Sequence, residues 1–140
     1  MSRVFWDTNL FIYLVEDRGP LGARVSRLAQ HMLTRKDQLF TSTLTLGEVL
    51  VKPKRVGDLK LADTYADLFS RHAVLIPFDD LAAGHYATIR SDKTVKAPDA
   101  IQLACAAREK VDLFITNDDR LSLKVIPGIQ FIVSLAQAPL

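Results

Sequence analysis

Short apolar runs, alternating with stretches of helical spacing, constrain this chain more than any other feature. Val4-Phe5-Trp6, Leu39-Phe40, Val74-Leu75-Ile76, Leu113-Phe114-Ile115 and Phe131-Ile132-Val133 are continuous apolar segments without interleaved polar residues. Such runs are typical of parallel strands covered on both faces. Between them, residues 10–16, 21–35, 42–51, 58–69, 79–90 and 98–110 are expected to be helical. Val25, Leu28, Ala29 and Met32 give the clearest helical spacing. Strands are expected over residues 4–6, 38–41, 73–77, 112–116 and 130–133, with 91–97 a polar, basic loop and 117–121 a turn. Pro53 is expected to stop the third helix and leave 54–57 as loop. The alternation predicts an α/β fold: a three-layer α/β/α sandwich with a mostly parallel sheet of four to five strands. At 140 residues, one domain over 1–140 is expected, large enough for a core without staples.

Four acids interrupt apolar or small-residue contexts. Asp7 ends the first strand, at the position where open α/β sheets bind ligands. It can equally N-cap the next helix, with Thr8 and Asn9 as turn residues. Glu48 lies in an otherwise oily helix, where Thr45 and Glu48 also match a capping box. Asp99 opens a helix of small residues, a place where the helix dipole alone favours an acid. Asp118 follows the Leu113-Phe114-Ile115 strand and can cap the turn beside it, a role also open to Asp119. Taken together the four imply more than capping. Carboxylates converging in one cleft repel each other unless a cation sits among them, and an oxygen-only donor set selects a hard ion. His31, His72 and His85 are scattered and read as surface residues, and Cys105 reads as a small buried hydrophobe.

Composition narrows the classes without choosing among them. The 49% hydrophobic and 24% charged contents are those of an ordinary globular protein, and a net charge of +2 permits nucleic acid without demanding it. Asp7 falls before any apolar segment and no small-residue cleavage site follows, so no secretory leader is expected; no apolar run approaches the ~20 residues of a membrane span, so none is expected either. The lone Cys105 cannot form an internal disulfide, which fits a reducing cytoplasm.

The segments Phe5-Trp6-Asp7-Thr8-Asn9, Thr43-Leu44-Thr45-Leu46-Gly47-Glu48, Lys96-Ala97-Pro98-Asp99-Ala100-Ile101-Gln102-Leu103-Ala104 and Phe114-Ile115-Thr116-Asn117-Asp118 together resemble the PIN-domain family. Their order and spacing are similar to those of VapC-type toxin ribonucleases, across essentially the whole chain. The resemblance implies a Mg²⁺- or Mn²⁺-dependent endoribonuclease with Asp7, Glu48, Asp99 and Asp118 as its acids. Asp7, Asp99 and Asp118 would face the metal, Glu48 would act through water or as an orienting base, and Thr8, Asn9 and Thr116 would hold them in place. It further implies RNA as substrate, a small cognate antitoxin as partner and a homodimer. Arg24, Lys52, Lys54, Arg55, Arg90, Lys93 and Lys96 flank the acids in sequence and could receive an RNA backbone, or be solvated surface charge.

Three alternatives compete with a toxin nuclease. A PIN nuclease of RNA processing would share the same site, and a binding module would keep the fold without the chemistry. A phosphatase of the haloacid dehalogenase type also places an Asp at the end of an early strand. It needs Asp-x-Asp-x-Thr, whereas Asp7 is followed by Asn9 and Phe11 at those places.

Overall fold

A computed structural model describes residues 1–139. Five parallel strands, β1 (Arg3–Trp6), β2 (Gln38–Ser42), β3 (Val74–Ile76), β4 (Leu113–Thr116) and β5 (Phe131–Ser134), form one sheet in the order β3-β2-β1-β4-β5. The helices are α1 (Thr8–Glu16), α2 (Pro20–Arg35), α3 (Thr43–Val56), α4 (Leu59–His72), α5 (Asp80–Ile89), α6 (Ala97–Arg108) and α7 (Asp119–Ser122). A 3-10 turn, Leu135–Gln137, follows β5.

Alternate strand residues enter two separate cores, which makes the three layers. Phe5, Phe40, Ile76 and Phe114 pack with Ala82 and Ile89 of α5 and Leu103 of α6. Val4, Trp6 and Ile115 pack on the other face with residues of α1, α2, α3 and α4, among them Leu10, Phe11, Val25, Leu28, Val49, Tyr65 and Phe69. Phe5 and Phe114 stack across β1 and β4 at 4.9 Å between ring centres. Full burial of such a ring contributes about 2–3 kcal/mol relative to leaving it in water.

The strand order decides where a site can form. The chain lays down β1, β2 and β3 in one direction, through α1 to α4 on one face. It then returns through α5 and α6 on the opposite face and places β4 on the far side of β1. The reversal opens a crevice between the C-terminal ends of β1 and β4. Asp7 and Asp118 follow those two ends.

Several boundaries differ from the sequence expectation. Pro53 does not stop α3: it is buried within the helix, which runs on to Val56. Gly57, at φ 72°, ends it in the left-handed conformation that favours glycine, and Asp58 caps α4 by accepting from the Leu61 N–H. α6 closes at Arg108, two residues early, and Lys110 turns at φ 52°. Gly22 lets α1 and α2 approach, since a Cβ there would lie 1.8 Å from the Asp17 carbonyl oxygen. No helix among the described residues is long and apolar enough to cross a membrane.

Candidate active site

Asp7 continues the β1–β4 pairing by donating its backbone N–H to the Ile115 carbonyl at 3.0 Å. Its Oδ1 accepts from the Thr8 N–H at 2.8 Å, so Asp7 does cap α1. Its Oδ2 accepts from the Thr116 hydroxyl at 2.8 Å, and the Thr116 oxygen in turn accepts from the Asp118 N–H at 3.0 Å. One fully buried hydroxyl therefore joins the ends of the two central strands. Burial raises the Asp7 carboxyl above its ordinary range, with Asp99 and Glu48 adding to the rise and the bonds from Thr116 and Thr8 opposing it.

Glu48 is not part of a capping box. Ser42 caps α3, accepting from the Thr45 N–H at 3.2 Å, so Thr45 lies inside the first turn and Glu48 beyond it. Glu48 Oε1 instead accepts from the Thr8 hydroxyl at 2.6 Å. Asp99 is in the first turn of α6, whose cap position, Lys96, supplies no side-chain bond. Burial, and then the charge of Asp118, hold the Asp99 carboxyl above its ordinary range. Asp118 itself caps α7, a role also considered for Asp119. The Arg120 guanidinium forks onto its two oxygens at 3.2 and 3.0 Å and holds that carboxyl below the usual range.

The remaining expected residues divide. Thr8 and Thr116 bond directly to the acids, while Asn9 is exposed. Lys96 is exposed and its charge reaches Asp99. Lys52 and Arg55 follow Glu48 at helical spacing along α3, and Lys52 is 2.8 Å from Glu16. Arg90 donates to the Val95 carbonyl at 2.9 Å and braces the loop that carries Lys93. Arg24 commits its guanidinium to the carbonyls of Leu135 and Ala136. His31 and His72 are exposed, and buried Cys105 has its thiol pushed up to about 11 by burial. Sequence reasoning passed over Ser42, Gln102 and Arg120. Gln102 is 3% exposed and donates to Thr45 and Thr8 at 2.7 and 3.0 Å. A glutamine in the middle of a helix whose interior, Ala100 to Ala107, is otherwise small and apolar was its signal.

Oxygen ligands alone, with two carboxyls raised by burial and by neighbouring acids, suit a hard divalent cation. Among the described residues, no three His, Cys, Asp or Glu side chains close on one point as a ready cage. Asp7, Asp99 and Asp118 are the carboxylates that would hold such a divalent ion, with Glu48 acting through water.

Proteins of known structure and sequence share this arrangement of elements. Ribonuclease VapC23 from two Mycobacterium tuberculosis strains is 28% identical over 120 residues, covering 85% of this chain and 95% of that protein. VapBC2 of Rickettsia felis, bound to promoter DNA, superimposes with a TM-score of 0.75 at 14% identity, covering 94% of this chain and 97% of that one. DNA-bound VapBC of Salmonella typhimurium gives 0.75 at 20% identity, over 96% and 99% of the two chains. The family profile described as PIN domain matches residues 4–126, from β1 to beyond α7. With that span matched and the acids set at the ends of the central strands, this chain belongs to the PIN-domain family.

Proposed function

We propose that the protein is a divalent-metal-dependent endoribonuclease and the toxin of a type II toxin–antitoxin pair. The observation that supports this most is the convergence of acids beyond the ends of β1 and β4, where the strand order calls for a crevice. Asp7 and Asp99 meet other acids across it, and burial and mutual repulsion raise both carboxyls. The relatives, a ribonuclease and toxin–antitoxin complexes, point the same way.

A bound Mg²⁺ or Mn²⁺ would supply Lewis-acid activation and charge neutralisation for phosphodiester hydrolysis. The chain's own contribution is positional. Thr116 holds Asp7, and Thr8 holds Glu48, so both carboxylates face the crevice in fixed orientations. Lys96, whose charge reaches Asp99, and Lys52 and Arg55, which follow Glu48 along α3, are suited to the RNA backbone. A partner protein has a surface to use as well. Leu14 of α1, Met32 and Leu33 of α2 and Leu68 of α4 line an open cleft of about 230 Å³. Leu33 is 68% exposed there, which suits an apolar segment of an antitoxin.

The test is cleavage of RNA by the purified protein with Mg²⁺ or Mn²⁺, beside Asp7→Asn and a chelator control. Cleavage that needs the metal and disappears in Asp7→Asn is expected. Metal-independent cleavage, or full activity in Asp7→Asn, refutes the assignment.

A further inference from the structure

Gln102 sits one helical turn after Asp99 on α6 and is buried, yet the chemistry above gives it no part. Its hydrogen bonds have a direction. The Ser42 oxygen already accepts from the Thr45 N–H at 3.2 Å, so its own proton is free to go to Gln102 Oε1 at 2.5 Å. That sets the amide with Nε2 on the other side, donating to Thr45 Oγ1 at 2.7 Å and Thr8 Oγ1 at 3.0 Å. Glu48 Oε1 lies 3.4 Å from the same nitrogen. The reversed amide would set its carbonyl oxygen against that carboxylate. It would also offer the Thr8 hydroxyl a competing acceptor.

Thr8 Oγ1 thus accepts a hydrogen bond from Gln102 and has a single O–H to donate, which points to Glu48 Oε1 at 2.6 Å. The series runs from the Thr45 main-chain N–H through Ser42, Gln102 and Thr8 into Glu48, every bond pointing one way. We propose that Gln102 is a positioning residue that fixes the Thr8 hydroxyl as a donor to Glu48, holding Glu48 as an oriented acceptor at the crevice. Without it, the Thr8 hydroxyl is free to rotate toward Thr45, 3.2 Å away, and Glu48 loses its anchor. Donation into a carboxylate is worth more than a neutral hydrogen bond, so the loss is large enough to measure.

The kinetic consequence rests on the nuclease reading, so the experiment pairs turnover with metal binding. Gln102→Met, Thr8→Val, their combination and Thr8→Ser are compared with wild type for kcat, KM, melting temperature and Mn²⁺ affinity by calorimetry. Gln102→Met and Thr8→Val are each expected to lower kcat about tenfold to a hundredfold, with KM within about twofold. Mn²⁺ should bind several-fold more weakly in both. The double variant should be little worse than either single change, because both cut the same series. Thr8→Ser, which keeps the hydroxyl, should recover most of what Thr8→Val loses. A folded Gln102→Met with kcat within twofold of wild type overturns the proposal, as does a double variant whose losses multiply. If Gln102→Met does not fold, Thr8→Val decides, and wild-type turnover there is equally fatal. Should wild type bind Mn²⁺ but cleave no RNA, the nuclease reading falls and calorimetry decides alone. Weakened binding in both variants then supports the positioning role, and unchanged binding overturns it. If wild type neither binds Mn²⁺ nor cleaves, both readings fall.

Discussion

Replacing Asp99 by Asn isolates the electrostatic cost of the acidic crevice. The amide has nearly the same volume, and no described residue donates a hydrogen bond to the carboxylate it replaces. In the native protein burial, then Asp118 and Glu48, raise the Asp99 carboxyl above the ordinary 3.8, against the opposing charges of Arg120 and Lys96. Across the interval above 3.8 the folded protein therefore keeps a proton that the unfolded chain has released. Folding stability falls as pH rises through that interval and stays lower above it. Asn at this position carries no charge to bury, so Asp99→Asn is expected to melt above wild type at neutral pH; about 0.5–1 kcal/mol, the usual scale for a partly exposed charge interaction, is roughly 2–3 °C for a chain of this size. Thermal unfolding with a chelator present, followed by circular dichroism from about pH 4 to 8, measures it. The two proteins should melt together at the acid end and separate as pH rises, with Asp99→Asn the more stable. Adding Mg²⁺ or Mn²⁺ should then raise wild type more than the variant, which has lost a ligand. An Asp99→Asn protein no more stable than wild type at neutral pH, or a difference that ignores pH, would show that the acids do not repel.

Glu48→Gln should cost at least a hundredfold in RNA cleavage at near-native melting temperature, because Glu48 caps nothing; retained cleavage would remove it from the site. Gly22→Ala should destabilise the fold by several kcal/mol, read from urea unfolding, since its Cβ meets the Asp17 carbonyl at 1.8 Å; native-like stability would mean that α1 and α2 can separate without cost. If an antitoxin tail places an Arg or Lys among Asp7, Glu48, Asp99 and Asp118, inhibition by the neighbouring gene's product should weaken as Mg²⁺ or Mn²⁺ is raised in an RNA-cleavage assay. Inhibition indifferent to metal would move the block away from the acids.

Element types were legible in the sequence because the strands are short and apolar, the central β1 and β4 being buried on both faces, and the helices between them keep their spacing. Their ends were harder to read, for local reasons. Pro53 reads as a helix stop, but a buried ring in the last turn can be worth the one backbone bond it removes, and Gly57 is the true end. Thr45 and Glu48 match a capping box by spacing alone, yet Ser42 takes the cap because β2 delivers the chain to α3 at that residue. For Asp7 the two readings were never exclusive: one carboxylate oxygen caps α1 while the other turns to Thr116 across the sheet. Arg120, two residues beyond Asp118, was passed over because nothing in a linear reading says which of many basic side chains folds back onto an acid.

The central place of β1 also bears on the order in which the protein is made. β1 is made before β4, and its register with that strand, Val4 opposite Leu113 and Trp6 opposite Ile115, waits for residues made more than a hundred positions later. At typical ribosomal speeds that is a delay of roughly 5–20 s. Until then Asp7 has neither the Thr116 hydroxyl nor the Asp99 and Asp118 charges around it, and Glu48 has no Gln102 behind Thr8. A nascent chain cannot assemble the site from β1 and α3 alone, so whatever chemistry the acids perform begins only once α6 and β4 have been made.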